Sequence, residues 1–188
     1  LKASVGFGGS CFQKDILNLV YLCRHYGLEE VAEYWYQVIK INNYQKKRFA
    51  QKIIDHFGGD LTGKKIAVLG WAFKANTNDS RESPSIYITD MLLERGATIY
   101  VYDPFVTKEV IQKDLINQNN SLKKDEMETS INNLFHFDDH KSAIYDVDAV
   151  AILTPWKEFL EIKTSAIIFD GHLLYKKTKI KPFYSIGL

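Results

Sequence analysis

Scarcity narrows what this chain of 188 residues can be. It holds only two cysteines, Cys11 and Cys23, and twelve residues apart on one helical-looking stretch they point awkwardly for a bridge. Free thiols fit a reducing compartment, so the cytoplasm is the expected location. No run of about 18 consecutive apolar residues occurs, and the opening "LKASVG" is not a basic region followed by an apolar one. Membrane insertion and secretion are not expected. Charge of one sign is lacking too: 24 Lys and Arg against 23 Asp and Glu leave a net +1, with the basic residues dispersed. That makes no field for nucleic acid or an anionic membrane, so an anionic ligand has to be gripped locally. No metal site is expected. An initiator methionine is missing as well, and the chain enters a functional-looking loop at once; the expectation is a portion of a longer protein whose upstream half lies elsewhere.

What is present suffices for a core: 46% of residues are hydrophobic and 25% charged, enough for one domain or one and a half. From Cys11 onward Ile16, Leu19, Val20 and Cys23 recur at helical spacing until "HYGL" supplies a glycine stop. Proline and glycine are then absent from Glu29 to Phe57, where Val31, Trp35, Val38, Phe49 and Ile53 continue a helical pattern closed by Gly58 and Gly59. Unbroken, that helix would run roughly 40 Å, which suits a connector between domains or a subunit interface.

After "GGDLTG" the period changes. "KKIAVLGWAF" (64–73) predicts a strand, "SPSIYITDMLLERG" (83–96) a helix with Ser83 as N-cap and Pro84 at its first position, and "ATIYVYDP" (97–104) a second strand. Strand, helix and strand with short joints form a right-handed unit with a parallel pair. Further strands are expected at 148–154 and 165–171, with a weaker one at 182–188. The polar stretch 107–133 is expected to be a surface excursion with some helix. The fold class is therefore α/β: a helical segment over 1–59 with a long connector helix, then a doubly wound, mainly parallel, Rossmann-like domain over 60–188.

Two stretches have the residue types for chemistry. In "VGFGGSCFQKD", "SCFQ" fits a capping box in which Ser10 caps and Gln13 reaches back, starting the helix at Cys11. A thiol in the first turn meets the positive end of the helix dipole, which favours a nucleophilic thiolate. Lys14 and Asp15, three and four residues on, bring a cation for an oxyanion and a carboxylate for proton transfer to the same side. Gly6, Gly8 and Gly9 allow close backbone approach to a ligand. The plain alternative also stands, since a lone cysteine is commonly a small buried apolar residue. Cys23, on the apolar stripe, is expected in the core.

The second stretch, "LGWAFKANTNDSRES" (69–83), joins the first strand to its helix, where doubly wound folds bind nucleotides. It has Gly70 in place of a three-glycine fingerprint, and Lys74 and Arg81 as phosphate grips. Asp103 at the end of the second strand either meets a ribose hydroxyl or makes a turn with Pro104. Among Trp71, Phe73, Trp156 and Phe159 one aromatic is available to stack on a base and most are core. His172, after "FDG", either faces the crevice or is structural.

Taken together, "GFGGSCFQKD", "GWAFKANTNDSRES" and "YDP" closely resemble the UDP-glucose 6-dehydrogenase family of nucleotide-sugar dehydrogenases, strongly over 2–104 and more loosely over the last forty residues. Gln13, where many bacterial relatives carry proline, is similar to the eukaryotic UDP-glucose type. The resemblance implies oxidation of the sugar C6 alcohol to an aldehyde and then an acid, UDP-glucose to UDP-glucuronate, with two NAD reduced. It implies that the Cys11 thiolate forms a thiohemiacetal and then a thioester, with Lys14 beside cofactor and substrate and Asp15 positioning or activating water. Lys2, Ala3, Ser4, Val5, Gly6, Phe7 and Gly8 would wrap the sugar nucleotide, Phe73 and Lys74 would contact it from the second domain, and Cys11, Lys14 and Arg81 would meet NAD. The long helix would link domains and pack in a homodimer or higher oligomer.

Two departures stand against the family pattern. His172 occupies the place of an arginine that contacts substrate, and a neutral imidazole does not replace a bidentate cation. The family's NAD-binding domain and a further catalytic lysine precede these motifs, so this chain alone is not expected to turn over. A sister enzyme for UDP-N-acetylmannosamine or GDP-mannose, and a non-catalytic nucleotide-binding or assembly module, are the alternatives.

Overall fold

Two helices form a hairpin before the sheet begins. Helix α1 (Phe12–His25) buries Ile16, Val20 and Cys23, one face at helical spacing, against Ala32 and Ile39 of α2 (Glu29–His56). Gly27, at φ 72°, turns the chain between them, and the Leu28 amide closes on the Cys23 carbonyl at 2.8 Å. Helix α2 runs unbroken for 28 residues, about 42 Å. Its two halves serve different cores. Phe49, Ala50, Ile53 and Ile54, past the middle, belong to the core of the sheet and not to that of the hairpin. The connector role expected of this helix is thus built from two apolar patches in series.

The computed structural model describes residues 3–118, 132–175 and 183–186. Beyond α2 come β1 (Lys65–Leu69), α3 (Pro84–Glu94), β2 (Thr98–Tyr102), α4 (Lys108–Gln118), β3 (Leu134–His136), a short α5 (His140–Ala143), β4 (Ala149–Ile152), a 3₁₀ stretch (Lys157–Glu161), β5 (Ile167–Asp170) and β6 (Phe183–Ser185). The six strands lie in the order β3-β2-β1-β4-β5-β6, every pair parallel. β4 and β5 are buried along their whole length, as strands covered on both faces must be. Ser83 caps α3 as expected, its Oγ accepting from the Ser85 amide at 3.3 Å ahead of Pro84 at the helix start.

The strands are shorter than the sequence pattern suggests, and β3 has no counterpart in that pattern. β1 stops at Leu69 because Gly70 turns at φ 96°, where any Cβ would stand 2.4 Å from the Thr154 Cβ. Trp71 and Phe73 therefore belong to the joint and not to the strand. The order reverses between β1 and β4, so the crevice at their carboxyl ends is the switch point where such sheets bind ligands.

Candidate active site

The segment 3–11 crosses the carboxyl end of the sheet, held at both ends and in the middle. Val5 is fully buried, its Cγ1 2.4 Å from where a Cβ on Gly171 would stand, so the glycine after β5 is the seat for this side chain. Asn42 of α2 clamps the next residues: its Oδ1 accepts from the Phe7 amide at 2.8 Å and its Nδ2 donates to the Phe7 carbonyl at 3.0 Å. At the far end the Gly9 amide donates to the Arg81 carbonyl at 2.8 Å. A Cβ on Gly8 would lie 2.4 Å from the Glu82 carbonyl oxygen, and one on Gly9 3.0 Å from the Phe73 ring. The glycines are thus needed for the docking of two protein loops, whereas the sequence suggested room for a ligand.

The capping box does not form. Cys11 itself is the N-cap residue, without a side-chain cap, and α1 begins at Phe12. Ser10 Oγ lies 3.6 Å from the Cys11 Sγ, and Gln13 instead donates through Nε2 to Glu82 Oε2 at 3.0 Å. A charged acceptor won Gln13 from the cap. Cys11 still stands at the positive end of α1, exposed, with Lys14 and Asp15 exposed on the following turn, while Cys23 is buried.

The joint after β1 is a closed loop. The Phe73 amide donates to the Asp79 carbonyl at 3.0 Å, and Arg81 donates through Nε and Nη2 to the Asp79 carboxylate, each at 2.9 Å. That fork holds the Asp79 carboxyl below its ordinary range. Lys74 is exposed, its Nζ 5.2 Å from the centre of the Phe73 ring. Trp71, Trp156 and Phe159 are buried, which leaves the half-buried Phe73 as the accessible aromatic of the four.

Asp103 does not wait for a ribose. It is 4% exposed and both oxygens are occupied: Oδ2 accepts from the Trp71 and Ala72 amides and from Trp156 Nε1, at 2.6, 3.0 and 3.1 Å. Oδ1 accepts from the Phe105 and Val106 amides at 2.9 and 3.1 Å. The turn reading is correct, and the carboxylate braces the floor of the loop. His172 lies at the switch-point end of β5, its Nε2 2.8 Å from the Leu153 carbonyl, as a donor would be. Burial pushes its pKa below the ordinary histidine value, so the ring is neutral and one nitrogen is committed to backbone.

A cleft of about 570 Å³ brings together Gly9, Ser10, Gln13, Lys14, Arg81 and Glu82. Cys11, Asp15, Phe73, Lys74 and His172 are not among its walls, and Lys2 lies outside the described residues. Asn42, Lys46 and Glu82 belong to neither sequence motif's expected chemistry, yet they contact both loops. The signal for the first two is that they interrupt the buried stripe of α2 between Ile39 and Phe49 with polar side chains. Among the described residues no helix is long and apolar enough to cross a membrane, and no cluster of three His, Cys, Asp or Glu is placed to hold a metal.

Comparison with known proteins matches two family models: the central domain of the UDP-glucose/GDP-mannose dehydrogenase family over residues 1–44, and that family's UDP-binding domain over residues 67–177. The chain is 44% identical, over its whole length, to UDP-glucose 6-dehydrogenase 4 of Arabidopsis thaliana, of which it covers 43%. It is 48% identical, over 91% of its length, to the UDP-glucose 6-dehydrogenase of Bos taurus, of which it covers 36%. The chain thus spans less than half the length of these relatives. A solved UDP-glucose dehydrogenase from the archaeon Pyrobaculum islandicum superposes with a TM-score of 0.72 at 30% identity, covering 96% of this chain and 38% of that one. GDP-mannose dehydrogenase from Pseudomonas aeruginosa shares the fold at 18% identity, with a TM-score of 0.73 over 98% of this chain and 40% of its own. With the cysteine loop docked on the switch-point joint and the matched UDP-binding domain covering most of the sheet, the chain belongs to the UDP-glucose/GDP-mannose dehydrogenase family.

Proposed function

We propose that this chain is the part of a UDP-glucose 6-dehydrogenase that carries the catalytic cysteine, the connector helix and the UDP-sugar domain, with residues 1–59 and 60–188 as the two units. The observation that carries the reading is the bond from the Gly9 amide to the Arg81 carbonyl, which joins the cysteine loop to the nucleotide-binding joint of the same chain. The relatives named UDP-glucose 6-dehydrogenase support the choice of substrate.

Ala3, Ser4, Val5, Gly6, Phe7 and Gly8, with Lys2 ahead of them, lie along the sugar nucleotide, and Phe73 and Lys74 approach it from the sheet. His172 offers only its free ring nitrogen, so it orients the substrate with one neutral hydrogen bond where an arginine would give two charged ones. The Cys11 thiolate adds to the C6 aldehyde, and the Lys14 ammonium steadies the resulting oxyanion. Loss of hydride from that thiohemiacetal leaves a thioester on Cys11. Asp15 then positions and deprotonates the water that releases the acid and restores the thiol.

The groups that would hold NAD are Cys11, Lys14 and Arg81, and the cleft shared by Lys14 and Arg81 fits an anionic dinucleotide edge. When bound, NAD accepts the hydride of each oxidation. The exposed apolar side chains of the hairpin, among them Tyr26, Val31, Tyr34, Ile41 and Tyr44, support pairing of two copies through α2, and the free thiols of Cys11 and Cys23 support a cytoplasmic location.

The test is NADH production from UDP-glucose by the full-length protein. The expected yield is two NADH per sugar, lost with Cys11→Ser; a higher affinity for GDP-mannose or UDP-N-acetylmannosamine in competition binding would assign the site to a sister enzyme instead.

A further inference from the structure

Lys46 is a cation that the proposed chemistry leaves unused. It projects from α2 into the protein and is 2% exposed, and among the described residues its Nζ meets no hydrogen-bond acceptor. A buried ammonium without one is costly, and such groups persist where function needs them. Burial pushes its pKa down to about 8, with the Glu82 charge acting in the opposite sense.

Its surroundings show what it touches. The ammonium sits 3.7 Å above the centre of the Tyr87 ring. The Tyr87 hydroxyl donates to Glu82 Oε2, the same oxygen that accepts from Gln13 in the first turn of α1. Its stem lies beneath the cysteine loop, with Cγ 3.2 Å from where a Cβ on Gly6 would stand. One turn earlier on the same face, Asn42 clamps Phe7. Glu82 itself is bent into the left-handed region at φ 55°, a conformation a non-glycine residue keeps only when its neighbours hold it there.

We propose that Lys46 is a positioning residue: its ammonium, seated on the Tyr87 ring whose hydroxyl bonds Glu82, locks the Gly6–Gly9 loop and the Arg81–Glu82 loop into one geometry and so fixes where Cys11 is presented. The catalytic meaning of this lock rests on the proposed dehydrogenase function. The lock itself does not. Its direct reporter is the Gly9 amide, which is protected only while the two loops meet.

Lys46→Met and Lys46→Arg in the full-length protein test it, with hydrogen exchange at Gly9, exchange at Val68 in β1 as the reference for global stability, and turnover of UDP-glucose. Methionine in place of a buried charge is expected to leave folding intact, because apolar replacement of such groups is often neutral or stabilising. The expected result is Gly9 exchange faster by roughly tenfold, Val68 exchange unchanged and kcat lower by roughly tenfold or more, with arginine restoring both. Unchanged Gly9 exchange, or faster exchange at Gly9 and Val68 alike, overturns the proposal, as does an arginine variant that folds but behaves as methionine does. If Lys46→Met fails to fold, Lys46→Gln is scored against the same outcomes. A wild type that does not oxidise UDP-glucose, yet shows the Gly9 response, sinks the functional reading and leaves the lock standing.

Discussion

Gly9 and Arg81, 72 positions apart in the sequence, are joined by a backbone hydrogen bond of 2.8 Å. The bond ties the loop before the cysteine helix to the loop after the first strand, so neither half of the site can shift alone. Gly8→Ala is expected to break that register, since its Cβ would stand 2.4 Å from the Glu82 carbonyl oxygen, a backbone atom that cannot move aside cheaply. A loss of about 1–3 kcal/mol in urea unfolding is predicted. Turnover of the full-length protein should fall by roughly a hundredfold, the usual cost of an ångström of misplacement.

Asp103 carries a second prediction. Asp103→Asn keeps the shape but replaces one acceptor oxygen by a donor, so either three or two of the donors it now satisfies face an NH₂ group. Stability should drop by about 2–4 kcal/mol, read from the urea midpoint, and UDP affinity should weaken because the 70–83 loop loses its floor. An asparagine variant as stable as wild type would show that the carboxylate brace is dispensable.

The buried ammonium gives a stability prediction with a definite sign. The folded-state pKa of Lys46 is about 8 against 10.5 for the free side chain. The unfolded chain therefore binds the proton more tightly, and the Lys46 contribution makes the protein more stable as pH rises from about 8 to about 10.5. Below that window the burial cost is fully present, on the order of 3 kcal/mol. The groups facing it are Glu82 from the loop and Tyr87 from α3, with Asp90, Glu94 and Lys47 along the same cavity of about 550 Å³. Burial and Glu82 push the Tyr87 hydroxyl well above its ordinary pKa, so it stays neutral across this range. In urea unfolding from pH 7.5 to 10 the gap by which Lys46→Met exceeds wild type should shrink with rising pH; a constant gap would mean that burial does not lower the Lys46 pKa.

The two cysteines should behave differently toward iodoacetamide. Cys11 is exposed and Cys23 is 6% exposed in the hairpin core. Cys11 is predicted to be alkylated in the native protein and Cys23 only on unfolding, with peptide mass spectrometry as the readout. Equal rates would place Cys23 outside the core.

Much of this architecture was legible because local and global signals agree. Ser83 and Pro84 mark the start of α3 whatever surrounds it, and the unbroken run from Glu29 to His56 has no residue that stops a helix. What failed to show were the contests decided by distant partners. Ser10 and Gln13 have the spacing of a capping box, but Gln13 is taken by Glu82, 69 residues away, and no local pattern contains that competitor. Asp103 at a strand end looks alike whether it meets a sugar or braces its own loop; only the five donors around it decide. β3 is three residues long after a polar excursion, too short for an alternation to register. Asn42 and Lys46 read as interruptions of an apolar stripe, although Asn42 clamps Phe7 and Lys46 is seated on the Tyr87 ring.

The central claim, that Cys11 carries the sugar as an acyl group, is tested most directly by trapping. Full-length protein mixed with UDP-glucose and NAD, acid-quenched during turnover and digested, should yield a Cys11 peptide heavier by the UDP-glucuronyl group and released to free thiol by hydroxylamine. An unmodified Cys11 peptide at every time point, together with undiminished turnover by Cys11→Ser, would contradict the account.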